Sequence, residues 1–125
     1  MINWIKRVNR KFANAFRGLI VLIKEEKSLW VHFFVSFIVI VFGIFLFEEI
    51  WQWISIILVI GLVIGFEIIN TSIEYIVDII SFEYNVKAKK IKDVAATATL
   101  FVTLVAIVVG LLVFLPLIID ILKVG

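Results

Sequence analysis

The sequence predicts an all-α integral membrane protein, with an amphipathic helix at the membrane surface followed by three transmembrane helices. Three observations lead there. Hydrophobic residues make up 64% of the 125 positions and the mean hydropathy is +1.22, whereas water-soluble domains are about half apolar. Apolar runs long enough to cross a bilayer occur three times. The basic residues gather in two clusters, Lys6 to Lys27 and Lys87 to Lys92, with Lys123 the only one elsewhere; charge placed in this way sets membrane orientation. The length suits a single domain, 1–125. Cysteine is absent, which excludes a disulfide framework, thiolate chemistry and a zinc–thiolate site.

Residues 1–24 form the amphipathic element. Ile5, Val8, Phe12, Phe16, Leu19 and Ile23 recur every three or four positions, and Lys6, Arg7, Arg10, Lys11 and Arg17 take the other face. A basic amphipathic helix with Trp4 fits the headgroup plane of an anionic membrane; packing on the protein's own surface is the alternative, and both can hold. No small-residue cleavage site follows, so a cleaved signal peptide is not expected. Residues 29–47 are the first span, about nineteen residues for a hydrocarbon core of ~30 Å. Residues 50–80 follow after almost no loop, which makes a tight hairpin flanked by Trp51 and Trp53, with Trp30 at the opposite interface. Gly61 and Gly65 give a GxxxG spacing that suits a close helix contact but also arises by chance. Residues 81–92 are a polar, basic connection. Residues 94–122 are the third span, opening with Ala95, Ala96, Thr97, Ala98 and Thr99 and carrying Pro116 near its far end. The basic clusters put the N-terminus and the 81–92 connection in the cytoplasm, and the 48–53 hairpin and the C-terminus outside.

The second span carries the chemistry. At about 100° per residue, Glu67, Asn70, Thr71, Glu74 and Asp78 fall within an arc of roughly 100°. Acids in a membrane helix are costly and face a cavity, a partner or an ion. From Ile50, seventeen residues at ~1.5 Å each bring Glu67 roughly 25 Å across, just inside the cytoplasmic edge. Glu74 lies about two turns further, in the headgroup layer. A site here can hold a lipid headgroup and a water-soluble ligand together. Carboxylates one or two turns apart suit Mg²⁺, which needs only one or two from protein when phosphates supply the rest. Glu26 reaches a similar depth, and Lys92 and Asp93 add a cation and an acid at the mouth of the third span. Neither common nucleotide-binding loop is present. Acids in a membrane helix also suit a proton or cation relay. However, the stretches Leu29 to Phe47 and Ile50 to Phe66 contain no acid, whereas a relay needs acids spread across the bilayer. Residues 87–92 also fit a plain positive-inside anchor, and His32 reads as structural.

Glu67-Ile-Ile-Asn70-Thr71-Ser72-Ile73-Glu74, then Val77-Asp78, Glu83, Ala88-Lys89 and Lys92-Asp93-Val-Ala95-Ala96, resembles the small prokaryotic diacylglycerol kinase/undecaprenol kinase family over essentially the whole chain. Val109-Gly110 and Phe114-Leu115-Pro116 are similar to its Gram-positive undecaprenol kinase branch. The resemblance implies a homotrimeric helical bundle with active sites shared between protomers, in the bacterial inner membrane with its active site cytoplasmic. It implies transfer of the γ-phosphate of Mg-ATP to the hydroxyl of undecaprenol, with diacylglycerol as the alternative acceptor; the residues alone leave a small proton- or cation-coupled transport subunit as the rival of another class. By this resemblance Glu67 is the catalytic base and Asn70 orders the site; Glu26 and Glu74 hold Mg²⁺. Arg7, Glu26, Glu74, Glu83, Tyr84, Asn85, Lys92 and Asp93 bind the nucleotide. The expected partners are ATP, a lipid alcohol, the bilayer and further copies of the chain, with no nucleic acid. Ser28 departs from the family pattern, where an asparagine is expected, and Thr97 and Thr99 stand in place of glycine and valine.

Overall fold

A computed structural model describes residues 1–81, 83 and 85–124. The described residues form four α-helices: α1 (Ile2–Glu25), α2 (Lys27–Leu46), α3 (Ile50–Ile80) and α4 (Val86–Val124). The last three are each long and apolar enough to cross a membrane. α3 packs principally against α4, and α2 against α3.

α1 gives way to α2 at a single residue. Glu26 is extended (φ −110°, ψ 107°) and serves as the C-cap of the first helix and the N-cap of the second. Its N–H still donates to the Leu22 carbonyl, and the Trp30 indole N–H reaches back to the Ile23 carbonyl at 2.7 Å, so the corner is tied from both sides. Trp4, Phe12 and Phe16 on α1 are each 64% exposed. The chain's own helices therefore leave the apolar stripe of α1 uncovered, and packing on the protein's own surface is not realised within one chain.

At the other end, α2 and α3 form the hairpin through Phe47, Glu48 and Glu49. The Phe47 ring packs edge-on against Trp53, with centroids 5.0 Å apart, and lies 5.1 Å from Phe114 of α4. This cluster requires glycine at position 43, because a Cβ there would lie 2.7 Å from a Phe47 ring carbon and 3.1 Å from Trp53. The buried Gln52 accepts from the N–H groups of Glu48 and Glu49 through one side-chain oxygen, satisfying donors that a tight turn leaves open. A Cβ at Gly61 or Gly65 would have nothing within 4 Å, so among the described residues the GxxxG spacing makes no close helix contact.

With 31 and 39 residues, α3 and α4 are ~46 Å and ~58 Å long at 1.5 Å per residue. Both exceed a ~30 Å hydrocarbon core. Because α4 begins at Val86, the lysines of the 81–92 connection ride on its first turns. Pro116 lies within α4, where it removes one helical hydrogen bond near the far end. The buried apolar core consists of Leu29, Ile56, Val77 and Val113, leaving most of the spanning surface open to lipid or to other proteins.

The Gly43 contact yields a stability prediction. Gly43→Ala and Gly61→Ala gain the same helix propensity, but only the first overpacks the hairpin. Gly43→Ala is expected to be the less stable of the two in detergent by about 1–3 kcal/mol, read as the difference in thermal midpoint. Equal midpoints would mean that Phe47 and Trp53 give way freely.

Candidate active site

The site is built where the first turns of α2 run antiparallel to the second half of α3. Glu67 projects from α3 toward α2 and is met there by two side chains. The Ser28 hydroxyl donates to Glu67 Oε1 at 3.0 Å, and His32 Nε2 lies 3.7 Å from Oε2. The Glu67 side chain is 16% exposed. One turn along α3, Asn70 and Thr71 are buried, and the Asn70 amide donates to Glu74 Oε1 at 3.3 Å. The opposite amide orientation would set oxygen against the carboxylate, so the donor faces Glu74. Among the described residues Asn70 Oδ1 is thereby left buried without a partner, which costs about 1–3 kcal/mol when nothing compensates it.

Beside Glu74, the Tyr75 hydroxyl lies 2.9 Å from Glu25 Oε2 and 3.0 Å from Glu26 Oε1. A phenol has one proton, so it serves one of these carboxylates at a time. Through Tyr75, α3 holds the corner between α1 and α2 and brings Glu26 to the level of Glu74. Among the described residues no three metal-ligating side chains converge. A magnesium ion carried by phosphates needs only one or two carboxylates. Glu26 and Glu74 each engage one oxygen in the contacts above, which leaves the other for a ligand. This oxygen-only donor set fits Mg²⁺.

Further along, the end of α3 and the start of α4 enclose a cleft of about 370 Å³ lined by Asp78, Ser81, Glu83, Asn85, Lys89 and Lys92, among others. Lys92 pairs with Asp78 across the cleft. Lys89 pairs with Asp93 along α4 at 2.6 Å, so Asp93 faces around the helix from Lys92. The fold thus groups Glu83, Asn85 and Lys92 in one cleft, with Glu26, Asn70 and Glu74 between it and Glu67. Arg7 is exposed near the start of α1 and makes no hydrogen bond or ion pair to these groups among the described residues. Tyr84, expected at the nucleotide, lies outside the described residues.

On the membrane side of Glu67 a groove of about 420 Å³ runs between α2, α3 and α4. His32 lies on its wall, which continues through Val35, Val39, Val59, Val63 and Ala106. Ser36, also on the wall, already donates to the His32 carbonyl at 2.6 Å. The imidazole of His32 therefore belongs both to the groove and to the surroundings of Glu67.

Three of these residues stand outside the sequence-derived set. Ser28 was visible only as a departure from the family pattern, and His32 only as a lone histidine at the interface. Tyr75 carried one signal, a polar-tipped aromatic next to Glu74 at the depth of the acids.

Comparison with known proteins identifies the family. The family described as prokaryotic diacylglycerol kinase matches residues 13–114, a range that includes Glu26, Glu67, Glu74 and both walls of the cleft. An undecaprenol kinase from Bacillus subtilis (strain 168) is 32% identical over 114 residues, covering 91% of this chain and 93% of that protein. A match over most of the sequence, together with acids at the interface and three spanning helices, leads to one assignment: the chain belongs to the prokaryotic diacylglycerol kinase family of membrane lipid kinases.

Proposed function

We propose that the protein transfers the γ-phosphoryl group of Mg-ATP to the hydroxyl of undecaprenol at the cytoplasmic face of the bacterial cell membrane. The observation that carries this reading is the position of Glu67. Its carboxylate adjoins His32, which lines an apolar groove reaching into the membrane-spanning part of the bundle. A lipid with its chain in this groove presents its hydroxyl at Glu67. In the transfer the alcohol oxygen forms a bond to the γ-phosphorus as the bond from that phosphorus to the bridging oxygen of ADP breaks. The alcohol proton passes to the Glu67 carboxylate, which acts as the general base.

Phosphoryl transfer depends chiefly on alignment and charge neutralisation. Glu26 and Glu74 would hold Mg²⁺, which when bound neutralises phosphate charge. Asn70 fixes Glu74, and Tyr75 fixes Glu26. Glu83, Asn85 and Lys92 would bind the nucleotide in the cleft between α3 and α4, and the family resemblance adds Asp93, Tyr84 and Arg7 to the nucleotide-binding set. Lys92 offers a positive charge once it exchanges Asp78 for phosphate. The open apolar faces of the spanning helices support assembly into a homotrimer whose sites are shared between protomers. The basic clusters support a cytoplasmic N-terminus and cytoplasmic active site.

The groove favours undecaprenol over diacylglycerol. Undecaprenol has a hydroxyl as its only polar group, whereas diacylglycerol adds two esters that accept hydrogen bonds. The wall offers few donors for them. Its polar side chains are His32, Ser36 and Thr103, and the Ser36 proton is used by the His32 carbonyl. Thr97 and Thr99 do not line the groove, and their hydroxyls donate to the carbonyls of Asp93 and Ala96 on their own helix. Unpaired polar groups cost about 1–3 kcal/mol each.

Three outcomes follow. With labelled ATP and the two lipids side by side in matched mixed micelles, undecaprenol is expected to show the higher kcat/KM. A preference for diacylglycerol would overturn the acceptor assignment and leave the lipid-kinase assignment standing. Glu67→Gln keeps size and hydrogen bonding but cannot accept the proton. It is expected to abolish turnover in a folded oligomer, and near-normal rates would remove Glu67 as the base. Glu26→Ala and Glu74→Ala are each expected to raise the Mg²⁺ and ATP concentrations needed for half-maximal rate. Unchanged titrations in both would take them out of the metal site.

A further inference from the structure

We propose that Ser28 and His32 are positioning residues that clamp the two oxygens of Glu67 and so select which one receives the substrate proton. The proposal rests on the reading of Glu67 as the base. Ser28 and His32 are four residues apart on α2 and therefore share a face, one turn from each other. Each addresses a different oxygen: the Ser28 hydroxyl donates to Oε1 at 3.0 Å, and His32 Nε2 stands 3.7 Å from Oε2. The terminal torsion of a glutamate is broad and roughly two-fold, so an unheld carboxylate would present its oxygens in many directions. Two contacts from one rigid helix restrict that torsion.

The contacts also make the two oxygens unequal. Oε1 already accepts the Ser28 proton. Oε2 lies on the His32 side, and His32 lines the apolar groove, so Oε2 is the oxygen offered to a hydroxyl arriving from the lipid. In the transfer the alcohol O–H bond breaks and its proton goes to Oε2, while Ser28 keeps its own proton throughout. The nearby carboxylates of Glu25, Glu26 and Glu74 are engaged by Tyr75 and Asn70 and have no hydrogen bond to Glu67. From α4, Thr103, Ala106 and Gly110 reach the groove wall, and none of them ionises. The clamp is also separable from the packing that holds α2 against α3. Leu29, next to Ser28, is only 2% exposed and fills this level of the bundle with apolar contacts.

The test uses the full-length protein in mixed micelles with undecaprenol and Mg-ATP, comparing Ser28→Ala with Ser28→Thr and His32→Leu with His32→Gln. The Ser28 hydrogen bond reaches a charged group, and its loss in Ser28→Ala is expected to lower kcat by about tenfold to a hundredfold; loss of the longer His32 contact in His32→Leu is expected to lower it by less. KM for Mg-ATP and the thermal midpoint should stay close to wild type, because neither residue touches the nucleotide cleft. Ser28→Thr keeps the hydroxyl and is expected to restore most of kcat; His32→Gln keeps a polar side chain on the Oε2 side and restores part. Wild-type kcat in both Ser28→Ala and His32→Leu would overturn the clamp. So would losses that Ser28→Thr and His32→Gln do not relieve, since those would report packing and not polar contact with the carboxylate. If Glu67→Gln retains turnover, the reading of the base fails first. If Glu67→Gln is inactive while Ser28→Ala and His32→Leu are fully active, only the clamp fails.

Discussion

A carboxylate inside a membrane helix must find donors before it can serve any other purpose, because the bilayer offers it none. Glu67 meets that requirement with side chains from α2, and much of the architecture follows. The hairpin has to be tight so that α2 returns alongside α3, and it has to keep one register so that Ser28 arrives opposite Glu67. Gly43, Phe47 and Trp53 set the closeness of that return at the far end of the two helices. The same antiparallel register that puts Ser28 beside Glu67 puts Glu26 beside Tyr75. A single pairing of two helices therefore positions the residue read as the base and one read as a metal ligand.

The second requirement is to bring an aqueous nucleotide and a membrane lipid to one place. Length solves it. α3 and α4 continue past the hydrocarbon, so the polar face of α3 changes its surroundings along its own axis, from the groove beside Glu67 to the open cleft beside Asp78. Glu67 and Asp78 are eleven residues apart, ~16 Å along the helix, and Glu74 stands between them. No loop is needed to carry the acids from one medium to the other, and a helix keeps their spacing fixed.

The large features were legible from the sequence because they depend on local quantities. Three apolar runs of sufficient length give three spanning helices, and the clustering of Glu67, Asn70, Glu74 and Asp78 on one face follows from helical periodicity. What escaped depends on register between segments distant in the chain. Ser28 and Glu67 are separated by 39 residues, and nothing in either neighbourhood announces the other. The pairing of Lys92 with Asp78 is similar: the two are fourteen residues apart on different helices, and helical periodicity within either one does not bring them together. The early start of α4 was hidden for another reason. Lys87 to Lys92 has good helix formers but no apolar period, so it read as a connection.

The corner at Glu26 has a mechanical consequence. α1 is a rigid arm of 24 residues joined to the rest of the bundle at one non-helical residue, and Glu26 is that pivot. When an arm swings, displacement grows with distance from its fulcrum. Arg7 stands nineteen residues out, ~28 Å along the helix, so a tilt of about ten degrees carries it ~5 Å by the same geometry. Glu26 stays nearly where it was, held additionally by Tyr75. The carboxylate read as a metal ligand is thus mechanically insulated from the tilt of α1, whereas the distance between Arg7 and Glu26's neighbours on α3 is set by that tilt.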